Sequence, residues 1–347
     1  MKSLVSRCAL GISVGAAMLA GCGVFPFDSA QGRLAQDDTH KPWMLAEARK
    51  IKKLLYVSDQ ATDYVYVYKY GGKKDQVGRL TGFRQPDGQC VDAQGDVWIT
   101  DTLSSAVVEY AHGRSEPMAT LSTGDGNDPI GCSVAPNGDL AVVNSPNGSA
   151  PGNVEVFQNA SGSATVYTDS GGCDLMFSPG YDLNDNLYVQ GESKSYIGVC
   201  ELPAGGSSLA PVGTGDVNLN YPGSVMWDGK YIALTQPDYM SSGHTVIFQM
   251  SENASGSLTE QYEITLKDDC SASFELTYQP FIVGKKNTPS NKYEGFAVVG
   301  GNLDCSNRVA FWAYPAGGEP LSALPSAPAE PSGQSVSIGS RSPATGN

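Results

Sequence analysis

Residues 88–101 read Gly88-Gln-Cys-Val-Asp-Ala-Gln-Gly-Asp-Val-Trp-Ile-Thr-Asp101, and after a short polar loop the chain continues Ala106-Val-Val-Glu-Tyr-Ala-His-Gly113. A short apolar segment enters a Gln94-Gly95-Asp96 turn, an alternating strand follows, then a loop, a second alternating strand and a glycine turn. Residues 117–122 supply a fourth strand. Strands this short, joined by turns this tight, form an antiparallel four-stranded meander.

The pattern repeats. The second strand begins at Leu55, Val97, Leu140, Leu187, Tyr231 and Phe296, in steps of 42, 43, 47, 44 and 65 residues. The third begins at Val65, Val107, Val154, Ile197, Thr245 and Val309, and a glycine follows each, from Gly71 to Gly317. Two strands and a turn that hold one phase six times, with about four strands per unit, predict an all-β, six-bladed β-propeller of four-stranded antiparallel blades. The step of 65 predicts an insertion within 257–294, with Lys285–Asn291 as a lengthened hairpin loop. The first repeat lacks an evident inner strand, and residues 42–52 suit a short helix or an irregular strand.

Composition agrees with this class. The 347 residues include 41 Gly and 21 Pro, with 17% charged residues. The formal net charge of -14 excludes nucleic acid as an expected partner, because the phosphate backbone demands a basic face. Lys41, Arg49, Lys50, Lys52 and Lys53 form a basic run at the start of the folded part. It reads as a solvated segment, with contact to anionic headgroups as the alternative.

The N-terminus carries an address. Lys2 and Arg7 precede an apolar or small-residue stretch, Cys8–Ala20, too short to span a bilayer but suited to the core of a secretory signal. It ends in Leu19-Ala20-Gly21-Cys22, which resembles the lipobox of bacterial lipoproteins. That resemblance implies cleavage before Cys22, acylation of its thiol, and a membrane partner through the lipid. The expected location is the cell envelope, extracytoplasmic. The outer membrane is favoured in a Gram-negative cell, because residue 23 is Gly rather than Asp. The expected organisation is a signal peptide over 1–21, a flexible tether over 22–40, the propeller over 41–325 and a disordered Pro- and Ser-rich tail over 326–347.

Pro86-Asp-Gly-Gln-Cys-Val-Asp92, Gly95-Asp-Val-Trp-Ile-Thr-Asp101 and Pro136-Asn-Gly-Asp-Leu-Ala-Val-Val-Asn144 resemble the NHL-repeat family of six-bladed propellers, over roughly 54–318. The resemblance implies the fold and leaves the activity open, since that fold hosts binding modules and enzymes alike.

Six cysteines remain beyond Cys8 and Cys22: Cys90, Cys132, Cys173, Cys200, Cys270 and Cys305. In an exported chain they predict disulfides, with Cys270–Cys305 and Cys90–Cys132 as the chosen pairs. No CxxC occurs, and His40, His112 and His244 are the only histidines, so no metal centre is expected. Two functions remain. The first is a non-catalytic module, without cofactor, that binds a protein, peptidoglycan or glycan ligand. The second, implied by likeness to propeller lactonases, is a hydrolase or lyase holding Ca²⁺ at the central channel, with Asp92, Asp182, Asn144 and Asp228 as candidate ligands. Turn chemistry is the competing reading of those four residues. No catalytic residue is assigned. Tyr64, Tyr66, Tyr68 and Tyr70 alternate along one strand and suit either blade packing or a binding face.

Overall fold

The structure is a computed structural model, and it describes residues 41–339 apart from 147–150, 169–170, 194–196, 238–243, 268–276, 285–296, 303–307 and 327. Met1–Lys41 separates from Pro42–Asn347, and every strand belongs to the second unit. Cys22, the tether, Cys270, Cys305 and the expected hairpin loop at 285–291 lie outside the described residues.

The chain is an all-β propeller of antiparallel sheets, roughly four strands each. The second sheet runs Pro86–Val91, Val97–Asp101, Ala106–Tyr110, Pro117–Ser122. The third runs Asp128–Val134, Leu140–Ser145, Asn153–Phe157, Thr165–Tyr167. The fourth runs Leu175–Tyr181, Leu187–Glu192, Ile197–Leu202, Ala210–Val212. The fifth has eight strands. Its first meander runs from Val225–Trp227 through Ile232–Pro237 and Thr245–Glu252 to Leu258–Leu266. Its second runs from Thr277–Val283 through Ala297–Asn302 and Arg308–Ala313 to Gly317–Ala323. The two meanders meet through one parallel pair, Leu266 with Gly318. The second and third strands of every meander fall where the repeat phase puts them.

The first sheet has five strands: Pro331–Ile338, Lys53–Asp59, Tyr64–Lys69, Gln76–Leu80 and the two-residue Trp43–Met44 at its outer edge. This corrects the expected tail. Residues 331–338 are not disordered; they supply the inner strand that the first repeat lacks, pairing from Lys53↔Ile338 to Asp59↔Pro331. Their Ser- and Gly-rich composition has a steric reason. A Cβ at Gly333 would overlap the carbonyl oxygen of Asp87 and lie 2.8 Å from Gly88 Cα. Only glycine fits at 333, so close to the neighbouring strand.

Side-chain alternation then builds the core. Leu54 and Tyr56 face the second sheet and join Val97, Ile99 and Tyr110. Leu55 and Val57 point the other way, into a cluster with Val283, Val309 and Phe311 of the last meander. Both faces of the strand are buried, so its sequence reads as a continuous apolar run rather than a half-polar one. Tyr68 is 3% exposed and, with Tyr66 and Tyr70, packs into that same seam, Tyr70 lying edge-on to Phe311 at 5.9 Å. Three of the four tyrosines of the ladder are sheet packing, while Tyr64 lies under the Arg79 guanidinium.

Candidate functional site

The inner strands converge on a cavity of about 100 Å³. Gln89, Ser133, Ser178, Tyr181, Ser224 and Gln334 bring their polar groups to its wall, beside Cys90 and Cys132. Three of these serines sit 45 and 46 residues apart, one per repeat. Each ties its strand to the next. Ser133 Oγ accepts the Tyr181 N–H at 3.2 Å, and Ser178 Oγ accepts the Val225 N–H at 3.2 Å. Ser224 Oγ donates to the Pro280 carbonyl at 2.9 Å. The closing strand follows the same scheme: Ser335 Oγ donates to Gln89 Oε1 at 2.7 Å, and Gln89 Nε2 donates to Ser58 Oγ at 2.8 Å. Between the second and third sheets a disulfide takes the serine's place, joining Cys90 to Cys132 with Cα atoms 5.5 Å apart. Small hydroxyl residues let the inner strands approach closely and satisfy backbone groups that water reaches poorly.

A second disulfide, Cys173–Cys200, ties the lead-in to the fourth sheet's inner strand to its third strand, with Cα atoms 6.4 Å apart. Sequence reasoning did not name this pair. Cys173 passes over Gly191, where an added Cβ would sit 3.0 Å from Cys173 Cβ, so the missing side chain opens the path.

The four candidate cation ligands go elsewhere. Asp92 Oδ1 accepts the N–H groups of Gln94 and Asp96 at 2.9 and 2.8 Å. Asp182 Oδ1 accepts those of Asn184 and Asn186, and Asp228 Oδ1 those of Lys230 and Tyr231. These are turn-closing contacts at the end of each inner strand. Asp228 Oδ2 adds bonds from Gln249 Nε2 at 2.7 Å and Tyr314 OH at 2.5 Å. Asn144 donates to Asn153 Oδ1 at 2.8 Å. None of the four borders the cavity. Asp92, Asp96 and Glu109 do bring carboxylate oxygens within 4.8 Å of one another, away from the cavity wall. Burial, with Asp96 and Asp92 nearby, pushes the Glu109 carboxyl up to about 7.

Two other acids are perturbed. Asp87, at the start of its inner strand, is 3% exposed with Oδ1 unpartnered. Burial first, then the Glu330 carboxylate, push it up to about 8. Glu155 accepts from Asn127 Nδ2 at 2.9 Å, and burial pushes it up to about 7. Of the histidines, His112 lies where three segments meet, with Nδ1 2.6 Å from Ser337 Oγ and Nε2 2.7 Å from the Ile51 carbonyl. Burial lowers its basicity, and His112 is a structural tie rather than a free base.

No family model matches the chain, and no curated protein matches it. Solved structures do. A chain of the nidogen/laminin complex superposes with a TM-score of 0.60 at 12% identity, covering 82% of this chain and 98% of that one. A functionally unknown protein from Desulfotomaculum acetoxidans reaches 0.52 at 11% identity, covering 83% and 99%. A gluconolactonase from Xanthomonas campestris reaches 0.50 at 12% identity, covering 84% and 87%. At such identities the likeness shows the propeller fold alone.

Proposed function

We propose that the chain is a lipid-anchored, extracytoplasmic, six-bladed propeller of NHL-like architecture that binds a protein, peptidoglycan or glycan ligand and does no chemistry on it. The count of six treats the eight-stranded sheet as two blades sharing one bridge. Its meanders face each other across a core of Ala233, Ile247, Ile264, Ala310 and Trp312, as separate blades do. Two buried disulfides favour an oxidising compartment, in keeping with export.

The observation that carries the binding reading is the chemistry of the cavity wall. Among the described residues, its polar side chains are hydroxyls, amides and one indole N–H, with no carboxylate or imidazole. A lactonase-type reaction needs oxygen ligands converging on a cation and a base of tuned pKa. A wall of neutral donors and acceptors instead suits recognition of an uncharged polar group entering the channel mouth. The test is calorimetric titration of the full chain with soluble muropeptides and glycans, with CaCl₂ as a separate titrant. Saturable glycan or muropeptide binding that weakens in Gln334→Ala supports the reading. Stoichiometric Ca²⁺ binding accompanied by lactone hydrolysis overturns it in favour of the enzyme.

A further inference from the structure

The charge of this acidic protein is unevenly placed. Residues 42–84, the first sheet and its approach, hold nine of the chain's 22 Lys and Arg but only four of its 36 Asp and Glu. Within that block Arg79 lies toward one end of the sheet, while Lys53 and Lys69 sit at the other, with Arg49, Lys50 and Lys52 leading into it. The 45–53 segment is fixed there by Leu45 N–H to the Val77 carbonyl at 2.8 Å and by Tyr70 N–H to the Lys53 carbonyl at 3.0 Å. The turn at 111–114 abuts it so closely that a Cβ on Gly113 would lie 2.7 Å from Arg49 N. Arg49, Lys50, Lys52 and Arg114 are all exposed there, and among the described residues none of them forms an ion pair. Trp43 and Leu45, on the outer edge of the same sheet, are each 38% exposed.

We infer that this corner of the first sheet is a docking surface for an anionic lipid bilayer. Exposed cations beside an exposed Trp and Leu match an interface in which phosphate groups lie above an apolar layer: the indole sits at headgroup level and the cations reach the phosphates. A nucleic acid would also meet the cations, but the rest of the surface is strongly acidic and repels an extended polyanion. Docking would orient the propeller on the membrane, apart from any ligand in the channel and independently of whether Cys22 carries lipid.

The test places the full chain on phosphatidylcholine vesicles with and without phosphatidylglycerol, using brominated acyl chains as quenchers. The signal of Trp43 is isolated by subtracting that of Trp43→Phe. Quenching is expected with phosphatidylglycerol and not without it, and it fades at high salt. Reversing three charges in Arg49→Glu/Lys50→Glu/Lys52→Glu should cut the bound-state population constant on the order of hundredfold, since each cation near an anionic surface contributes several-fold. Equal quenching on neutral vesicles, no quenching on either, or an unaffected triple variant would overturn the inference. Retention on vesicles at high salt is read separately and reports the lipid anchor, so loss of retention with Trp43 quenching intact refutes acylation while supporting docking.

Discussion

Replacing Gly333 by Ala asks whether the C-terminal segment closes the ring. The added methyl would overlap the Asp87 carbonyl oxygen and sit 2.8 Å from both the Asp87 carbonyl carbon and Gly88 Cα. These are backbone atoms of an inner strand, so no side chain can rotate away, and one of the two strands must move. Overpacking of this kind costs about 1–3 kcal/mol. At about 2–4 °C per kcal/mol for a sizeable domain, the melting temperature should fall by roughly 2–12 °C. Val336→Asp is the companion. Val336 is 3% exposed and packs among Leu55, Val57 and Phe311, so a carboxylate there is stripped of water without a partner and should cost more than the methyl does. Differential scanning calorimetry of the three proteins at one pH reads both effects. A flexible Ser- and Pro-rich tail would tolerate either change, so melting temperatures within a degree of wild type for both variants would refute the closing strand.

Asp87→Asn should flatten the pH profile of stability. The folded carboxyl titrates near 8 and the unfolded one near 4, so the native state holds a proton that the unfolded state has released between those values. Wild-type stability therefore falls as pH rises through that window, and the loss is complete above it. The variant lacks this loss and should be the more stable protein at pH 9; thermal melts from pH 5 to 9 check it. Replacing both Cys90 and Cys132 by Ser should cost about 4 kcal/mol, because the bridge closes a loop of sequence separation 42. Guanidinium titration with and without reductant measures this. Ser224→Ala removes the donor to the buried Pro280 carbonyl and should cost about 1–3 kcal/mol, while Ser255→Ala, on an exposed turn, should cost under about 0.5 kcal/mol, both read by urea denaturation.

The second and third strands of each repeat were legible because they are sandwiched between neighbouring sheets. Leu54 to Val57, Val97 to Ile99 and Leu140 to Val143 must be apolar on both faces, and such runs stand out against turns of Gly, Asp and Asn. The inner strands were less legible for the opposite reason. Near the axis the strands crowd, and crowding selects Gly88, Gly131, Ser133, Ser178 and Gly333, residues that in a sequence signal loop or linker. The closing strand Pro331–Ile338 is the extreme case: its Ser and Gly residues give it the composition of a tail, although Val336 and Ile338 are buried in it. A looser signal was periodic: Ser133, Ser178 and Ser224 lie 45 and 46 residues apart, close to the repeat length but not in phase with the apolar strands. The candidate ligands Asp92, Asp182 and Asp228 kept that step too, but the feature they repeat is a turn.

The same crowding bears on chemistry. Perturbed carboxyls often mark active sites, and Glu109 and Glu155, both near 7, have the proton affinity a general base at neutral pH would need. Neither borders the cavity. Their shifts come chiefly from burial between packed sheets, so they follow from assembling the fold and would persist in any ligand-free propeller of this sequence. At the axis the arrangement is reversed. Ser133 and Ser178 accept a backbone N–H and Ser224 donates to a carbonyl, so each hydroxyl helps to hold two sheets together. Activating one as a nucleophile would require a base within hydrogen-bond reach, and the described residues of the wall supply amides, phenol and indole. Among the described residues, the carboxyls that titrate near neutrality and the side chains that line the cavity are therefore different residues in different places.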